Sequence, residues 1–262
     1  MILTADNIRI TNSIIQRAVS NTDAVSIQEM AAKLETSGAN WIDINTGPLK
    51  SRPEEKMEFL VRSIQDVTDL PIILDTINPS AIREGLSVNK NRAIINGFSL
   101  ERDKLNKILP IAAEFNADII GYLLDSKGLP PFDTQDRLNI ALELYQECRK
   151  SDVSEKKLII DPVIAPLLWN DGAKRNMELL NIIRMLPDML GFPVKTIAGL
   201  SNLTSGIKDM EKRIILQKAY LSMLSASGLS IVLMDILSKP LVDMAKTCNL
   251  ITSERPLSIM EL

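Results

Sequence analysis

The chain contains no histidine anywhere in its 262 residues. That absence excludes Ser-His-Asp and Cys-His catalysis, histidine-bound zinc, and an imidazole ligand to haem iron or cobalt. Cysteine is scarce too. Cys148 and Cys248 lie far apart in helix-like segments. They are too few for a thiolate metal cage, and they read as inert thiols of a reduced, cytoplasmic protein. Aromatic residues make up 4% of the chain, and 30 Lys and Arg against 33 Asp and Glu leave a net charge of -3. With no basic stripe, nucleic acid is not an expected partner. No run approaches the roughly 20 apolar residues that cross a bilayer. The opening MILTADNIRI lacks a charged stretch leading into a long apolar core. Neither a signal peptide nor a membrane partner is expected. No G-x-G-x-x-G follows the first strand and no Walker sequence occurs, so nothing cradles phosphate and a Rossmann sheet is disfavoured.

What is present is a repeated pattern. Hydrophobic residues make up 45% of the chain and charged residues 24%, enough for one sizeable core. Short apolar runs end on polar side chains and alternate with amphipathic segments. The runs are Leu3–Ile8, Trp41 to the turn at Thr46-Gly47-Pro48, 71–75, 92–96, Ala117–Leu124, Lys157–Ile160, Val194–Leu200 and Ser230–Met234. Helical periodicity fills the gaps: Ser26–Ser37, Glu54–Val67, 79–88, Arg102–Phe115, Thr134–Lys150, about Asn176–Leu186, Glu211–Ser227 and Lys239 to about Thr247. Eight such alternations predict a parallel sheet closed into a single (β/α)8 TIM barrel, one domain over 1–262, with its active site at the C-terminal strand ends.

Asp6, Asp43, Asn45, Asp75, Asn96, Asp125, Asp161, Asn202 and Asp235 fall at or just past those ends. A mouth of carboxylates and carboxamides suits a ligand rich in N–H donors, such as a pterin or guanine-like ring. A divalent metal is the rival reading of the same acids. Each residue also has a plain structural reading. Asp6, Asp125 and Asp235 read equally well as helix caps, Asp161-Pro162 and Asn96-Gly97 as turns, and Asn202 as part of a polar loop. Met177, Met185, Met189, Met223 and Met234 read as core filler. Trp169, on the loop after the sixth strand, reads as a stacking or partner contact.

The segments LDTINPSAIREGL, NRAIINGFS, LIIDPVIAP and TIAGLSN, in that order over nearly the whole chain, resemble the pterin-binding methyltransferase family. Its members include the methyltetrahydrofolate:corrinoid protein methyltransferases, the pterin domain of cobalamin-dependent methionine synthase and dihydropteroate synthase. ADNIRITN and DINTGPL are similar to one subgroup, the second methyltransferases of anaerobic O-demethylase and glycine betaine systems. The resemblance implies that Asp75, Asn96 and Asp161 bind the pterin ring. It places Asp43 and Asn45 in the same cup and Asn202 at N5. Ser205 stands where the acetogenic enzymes carry Gln. With Trp169 and Arg213 it is a candidate corrinoid or partner contact.

The implied reaction moves a methyl group between a methylated corrinoid (methylcob(III)alamin) and N5 of tetrahydrofolate, forming 5-methyltetrahydrofolate. With no corrinoid-binding motif here, the cobalamin is expected on a separate protein, with no metal held by this chain. The family also implies a homodimer. The lysine and terminal Ser-x-Arg-x-His of dihydropteroate synthase are missing, which disfavours that activity. A non-catalytic folate-binding protein and a metal-dependent lyase on the same barrel are the other readings.

Overall fold

A computed structural model describes residues 1–47, 49 and 51–253. Pro48, at the end of the expected second strand, and the tail from 254 onward lie outside them. Eight parallel strands close into a barrel in sequence order. The strands are β1 (Ile2–Arg9), β2 (Trp41–Asn45), β3 (Ile72–Asp75), β4 (Ala93–Phe98), β5 (Asp118–Tyr122), β6 (Leu158–Asp161), β7 (Lys195–Gly199) and β8 (Ile231–Met234). The ring closes where β1 pairs β8, Ile2 beside Ile231 through Ala5 beside Met234.

Around it lie α1 (Ser13–Asn21), α2 (Ala24–Thr36), α3 (Pro53–Gln65), α4 (Pro79–Val88), α5 (Arg102–Glu114), α6 (Thr134–Lys150), α7 (Gly172–Leu190), α8 (Met210–Ala226) and α9 (Lys239–Ile251). No helix among the described residues is long and apolar enough to cross a membrane. Local signals start several of the helices. Asn78 caps α4 by accepting from the Ser80 and Ala81 N–H groups, with Pro79 at the first position. Asp133 caps α6 in the same way through Gln135 and Asp136.

Successive strand residues face opposite sides of the sheet. Ile42, Ile44, Ile72, Leu74, Ile95, Ile119 and Ile160 face outward and join the large core under the helices. Trp41, Ile73, Ile94, Ile120, Ile159, Ile197 and Ile231 face inward and form a separate buried cluster inside the barrel. This apolar ring fills the lumen, so the barrel is a packed core and not a pore. It is also the floor of whatever sits above it.

Three expectations are corrected. Helix α1 is extra: Ile15, Ala18 and Val19 are buried along it. Helix α7 begins at Gly172 and runs to Leu190 rather than covering 176–186. Gly172 packs so closely against the Pro166 carbonyl that an added Cβ would clash with it. The methionines do not all fill the core. Met234 is 1% exposed, but Met177, Met185 and Met223 are 51%, 44% and 37% exposed.

Candidate active site

Two residues beyond each inward isoleucine, the same strand face reaches the barrel mouth. Ile73 leads to Asp75, Ile94 to Asn96, Ile120 to Tyr122, Ile159 to Asp161 and Ile197 to Gly199. Trp41 leads through Asp43 to Asn45. Period-two alternation therefore stacks a polar ring on the isoleucine ring. The two rings enclose a cavity of about 370 Å3. Its lining includes Asp6, Arg9, Asp43, Asn45, Asp75, Asn96, Tyr122, Asp161, Ser201 and Asn202, over Ile120, Ile197 and Leu233.

Most of these side chains are fixed from below or beside. The Asn45 amide donates to Asp75 Oδ2, and its own Oδ1 accepts from Gly47 N at 3.3 Å. Tyr122 donates its phenol hydrogen to Asn96 Oδ1 at 2.5 Å. That bond settles the amide's orientation: Asn96 can offer the cup only N–H groups. Asp161 Oδ1 accepts from Val163 N at 2.8 Å. Val163 adopts a φ of 59°, an unfavourable region for a β-branched residue. The strained turn keeps Asp161 Oδ2 facing the cup.

Beneath that turn lies Arg137, with no exposed surface. It donates to the carbonyls of Pro131 at 2.6 Å, Pro162 at 3.4 Å and Arg175 at 3.4 Å. One buried guanidinium thus ties together the loops after β5 and β6 and the start of α7.

The turn after β7 folds as a short 3-10 helix, Leu200–Thr204. Gly199 occupies the position where the other strands place a polar side chain. An added Cβ there would come within 3.3 Å of Asn202 Nδ2. Glycine at 199 leaves the space that the Asn202 amide uses. Gly97 is required for a different reason: its Cα side meets the Ile120 carbonyl too closely for any Cβ.

The electrostatics are unusual. Burial pushes Asp161 up to about 7, only partly opposed by the Val163 N–H. Burial also lifts Asp75 far above the carboxylate range. Asp43 is raised by burial first, then by the charges of Asp75 and Asp6, while the Asn96 amide pulls it back. Asp6 is raised by burial, with Arg9 acting against it and Asp235 with it. Asp6 Oδ1 and Asp43 Oδ1 are buried without a hydrogen-bond donor. Acid groups held in this state accept hydrogen bonds from a ligand that brings its own N–H groups. Among the described residues, no three Asp, Glu or Cys side chains converge as a metal-binding set.

The mouth thus brings together Asp43, Asn45, Asp75, Asn96, Asp161 and Asn202. It also includes Asp6. It does not include Asp125 or Asp235, which the sequence pattern placed there. Asp125 Oδ1 accepts from the Lys127 and Leu129 N–H groups, closing its own turn. That turn borders a separate groove of about 630 Å3 between the loops after β4 and β5 and the face of α6. The groove is larger than the mouth, but none of the groups lifted by burial lines it. Asp235 Oδ1 accepts from Asn7 Nδ2 at 2.6 Å and from Leu237 N, locking the seam of β1 and β8.

Trp169, Ser205 and Arg213 lie outside the cavity lining. Trp169 is 38% exposed on the loop after β6, next to Leu168 at 62%. Ser205 follows the 3-10 turn and is exposed. Arg213 Nε donates to Thr204 Oγ1 at 3.4 Å. Tyr122 and Arg137 were not singled out by sequence. Tyr122 sits inside an apolar run, and its phase with Ile120 is the one signal that finds it.

A family model described as pterin binding enzyme matches residues 8–235. A curated protein from Eubacterium limosum, a methylcorrinoid:tetrahydrofolate methyltransferase, is 20% identical over 246 residues, covering 92% of this chain and 88% of that protein. Methionine synthase of Mycobacterium tuberculosis is 23% identical over 199 residues, covering 71% of this chain but 16% of that much longer protein. Among solved structures, dihydropteroate synthase from Stenotrophomonas maltophilia superposes with a TM-score of 0.72 at 18% identity, covering 97% and 94% of the two chains. The Coxiella burnetii dihydropteroate synthase bound to pteroic acid gives 0.68 at 22% identity, covering 89% and 87%. These two likenesses speak to the fold.

Proposed function

The chain belongs to the pterin-binding enzymes, and from that premise we propose that it moves a methyl group between the corrinoid of a separate protein and N5 of tetrahydrofolate. One observation carries the reading: a mouth whose acids are raised by burial, two of them, Asp6 and Asp43, with an oxygen that no donor meets, beside an Asn202 amide in the space that Gly199 leaves. Asp161 Oδ2 and the free oxygen of Asp75 suit the amino and ring N–H groups of a pterin, and the Asn96 N–H groups suit its acceptors. The Asn202 amide can rotate to present oxygen or N–H to N5. The transfer is an in-line displacement, so holding the nitrogen at the donor's methyl group supplies much of the rate. The E. limosum relative, similar over nearly its whole length, supports the same choice. Against dihydropteroate synthesis stands the strand-seven end, Gly199 to Asn202, where no lysine lies, in a chain without histidine.

Leu168, Trp169 and Met210 form an exposed apolar rim after β6 and β7, a docking edge for the corrinoid protein. Met177 and Met185 on α7 and Ile215 and Met223 on α8 are exposed apolar side chains elsewhere, and they suit contact with a second copy of the chain. A monomeric mass by light scattering at micromolar concentration would overturn that pairing.

The test is spectral: methylcobalamin with tetrahydrofolate, monitored for cob(I)alamin. Turnover is expected, and Asn202→Ala should reduce it by roughly 100-fold while folate affinity changes little. Trp169→Ala should lower transfer from a corrinoid protein more than from free methylcobalamin. Tight folate binding without turnover from either donor would make the chain a binding module, and loss of turnover with a chelator would favour the metal-dependent reading.

A further inference from the structure

Asp6 stands apart from the other acids of the mouth. It lies on the β1 side, in a strand that neighbours β2 and β8. The groups that bear on it come from every element around it. Arg9 is on its own strand, Asp43 on β2, Asp235 after β8, Ser201 on the turn after β7 and Arg213 on α8. Asp6 is 9% exposed, and its Oδ1 meets no donor. Its contact with Arg9 is 3.8 Å, too long for a hydrogen bond, and the Arg9 side chain is 46% exposed. A buried carboxylate oxygen without a donor keeps its desolvation penalty uncompensated. Such a group is retained where a ligand completes it.

The neighbouring acids have other duties. Asn45 holds Asp75, and the Val163 N–H holds Asp161. Asp43 sits deeper, at 2% exposure. The Tyr122 hydroxyl is committed to Asn96. Asn202 can bond to a nitrogen but cannot keep a proton. Of the two acids with an oxygen that no donor meets, Asp6 is the one with a place beside the Ser201–Asn202 turn and a half-exposed neighbour, Arg9, leading to water.

We propose that Asp6 carries the proton exchanged at the reacting nitrogen of the bound folate. This rests on the methyl-transfer reading. N5 of tetrahydrofolate bears one hydrogen. Its lone pair forms the bond to the methyl carbon, while the bond from that carbon to the donor's cobalt breaks and its electron pair leaves with the cobalt. N5 is then four-bonded and positive. Neutral 5-methyltetrahydrofolate forms only when the N5 hydrogen departs as a proton. Ionised Asp6 accepts it and returns it to water past Arg9. In the opposite direction protonated Asp6 gives its proton to N5, the electron pair of the reduced corrinoid cobalt forms the new bond to the methyl carbon, the carbon–nitrogen bond breaks with its pair on nitrogen, and the folate leaves as a neutral amine. Burial raises Asp6 from the ordinary aspartate value, with Asp235 adding to the rise and Arg9, Ser201 and Arg213 restraining it. A proton carrier works best with a pKa near the working pH.

The experiment compares wild type, Asp6→Asn and Asp6→Glu. Three quantities are read: tetrahydrofolate affinity, methyl transfer from methylcobalamin, and proton uptake when 5-methyltetrahydrofolate binds, followed with an indicator dye near pH 7. Asp6→Asn should keep tetrahydrofolate affinity within about threefold, lose roughly 100-fold in transfer, and take up no proton. Asp6→Glu should take up the proton and recover part of the transfer. Transfer by Asp6→Asn within threefold of wild type would overturn the proposal. So would uptake that persists in it, uptake absent from wild type, or an affinity loss as large as the transfer loss. Should Asp6→Asn not fold, Asp6→Glu decides alone, because an unaltered pH profile of transfer overturns the role. A wild-type chain that binds tetrahydrofolate and never transfers methyl overturns the methyl-transfer reading itself, a result the Asn202 assay reports separately.

Discussion

The two ends of this barrel hold buried acids in opposite states. At the N-terminal end, the Asp118 side chain is 3% exposed and fully engaged. Arg92 Nε donates to it at 2.5 Å, and Lys157 Nζ lies 3.5 Å away. The Arg92 guanidinium also stacks over Trp41 at 5.3 Å. At the C-terminal end, Asp6, Asp43, Asp75 and Asp161 crowd one small cavity, and the cation nearest Asp6 is Arg9 at 3.8 Å. A buried charge is tolerated when a partner offsets its desolvation. Below the isoleucine ring that partner is built in. Above it, the partner is left to arrive from outside. The difference separates stability from function within one lumen, as the two faces of such barrels generally do.

The sharpest way to break the comparison is a matched pair of substitutions. Asp161→Asn should reduce tetrahydrofolate affinity by roughly 100-fold, because an amide replaces a charge-assisted acceptor and turns an N–H toward the ligand's own N–H groups. The same change should stabilise the ligand-free protein. The folded pKa of Asp161 stands near 7, above the ordinary 3.9 or so of an unfolded Asp. The folded state therefore binds this proton more tightly. The stability it contributes is fully present below about pH 4 and is lost as pH rises through about 7. Thermal unfolding of wild type should fall in temperature over that window. Asp161→Asn should flatten the fall and melt roughly 3 °C or more higher at pH 8. A lower melting temperature at pH 8 would show the carboxylate to be structural.

Asp118→Asn should do the reverse. It removes the charge that Arg92 and Lys157 share. Both cations retain some water contact, so the loss should be about 1–3 kcal/mol, or roughly 3–10 °C in melting temperature. Folate affinity should stay within twofold. If Asp118→Asn weakens folate as much as Asp161→Asn does, the two ends are not separate in the way their contacts imply.

Much of this was legible in the sequence because each apolar run stops on a polar residue. Ile73 to Asp75, Ile94 to Asn96 and Ile159 to Asp161 share one phase, and that phase points inward. Asp125 breaks it. It follows β5 beyond Tyr122 and lies out of step with Ile120, so its carboxylate turns into a local loop. What the pattern hides is the support. Arg137 falls on the buried stripe of α6 with Ala141, Leu144 and Cys148. Its role depends on three carbonyls, two of them, Pro162 and Arg175, from segments distant in sequence. The exposed methionines of α7 and α8 mislead for the opposite reason: apolar spacing says which face is hydrophobic, not what covers it.

Tyr122 offers the smallest and most discriminating test. Its ring belongs with the isoleucine ring below, and its hydroxyl belongs to the polar ring above. Tyr122→Phe keeps the ring and deletes only the donor to Asn96. The Asn96 oxygen then has no partner from below, and Asp43 alone is left to hold the amide. A turned amide would present oxygen where the cup now presents N–H. The expected loss is one ordinary hydrogen bond, about 1 kcal/mol, seen as a three- to tenfold drop in tetrahydrofolate affinity. Transfer at saturating folate should stay within twofold, since the hydroxyl does not reach the Asn202 turn. Melting temperature should move by less than about 2 °C, because the packed ring is unchanged. An unchanged affinity would mean that Asp43, not Tyr122, sets the Asn96 amide. The donor side of the cup would then be organised by the same deep acid that Asp6 and Asp75 already perturb.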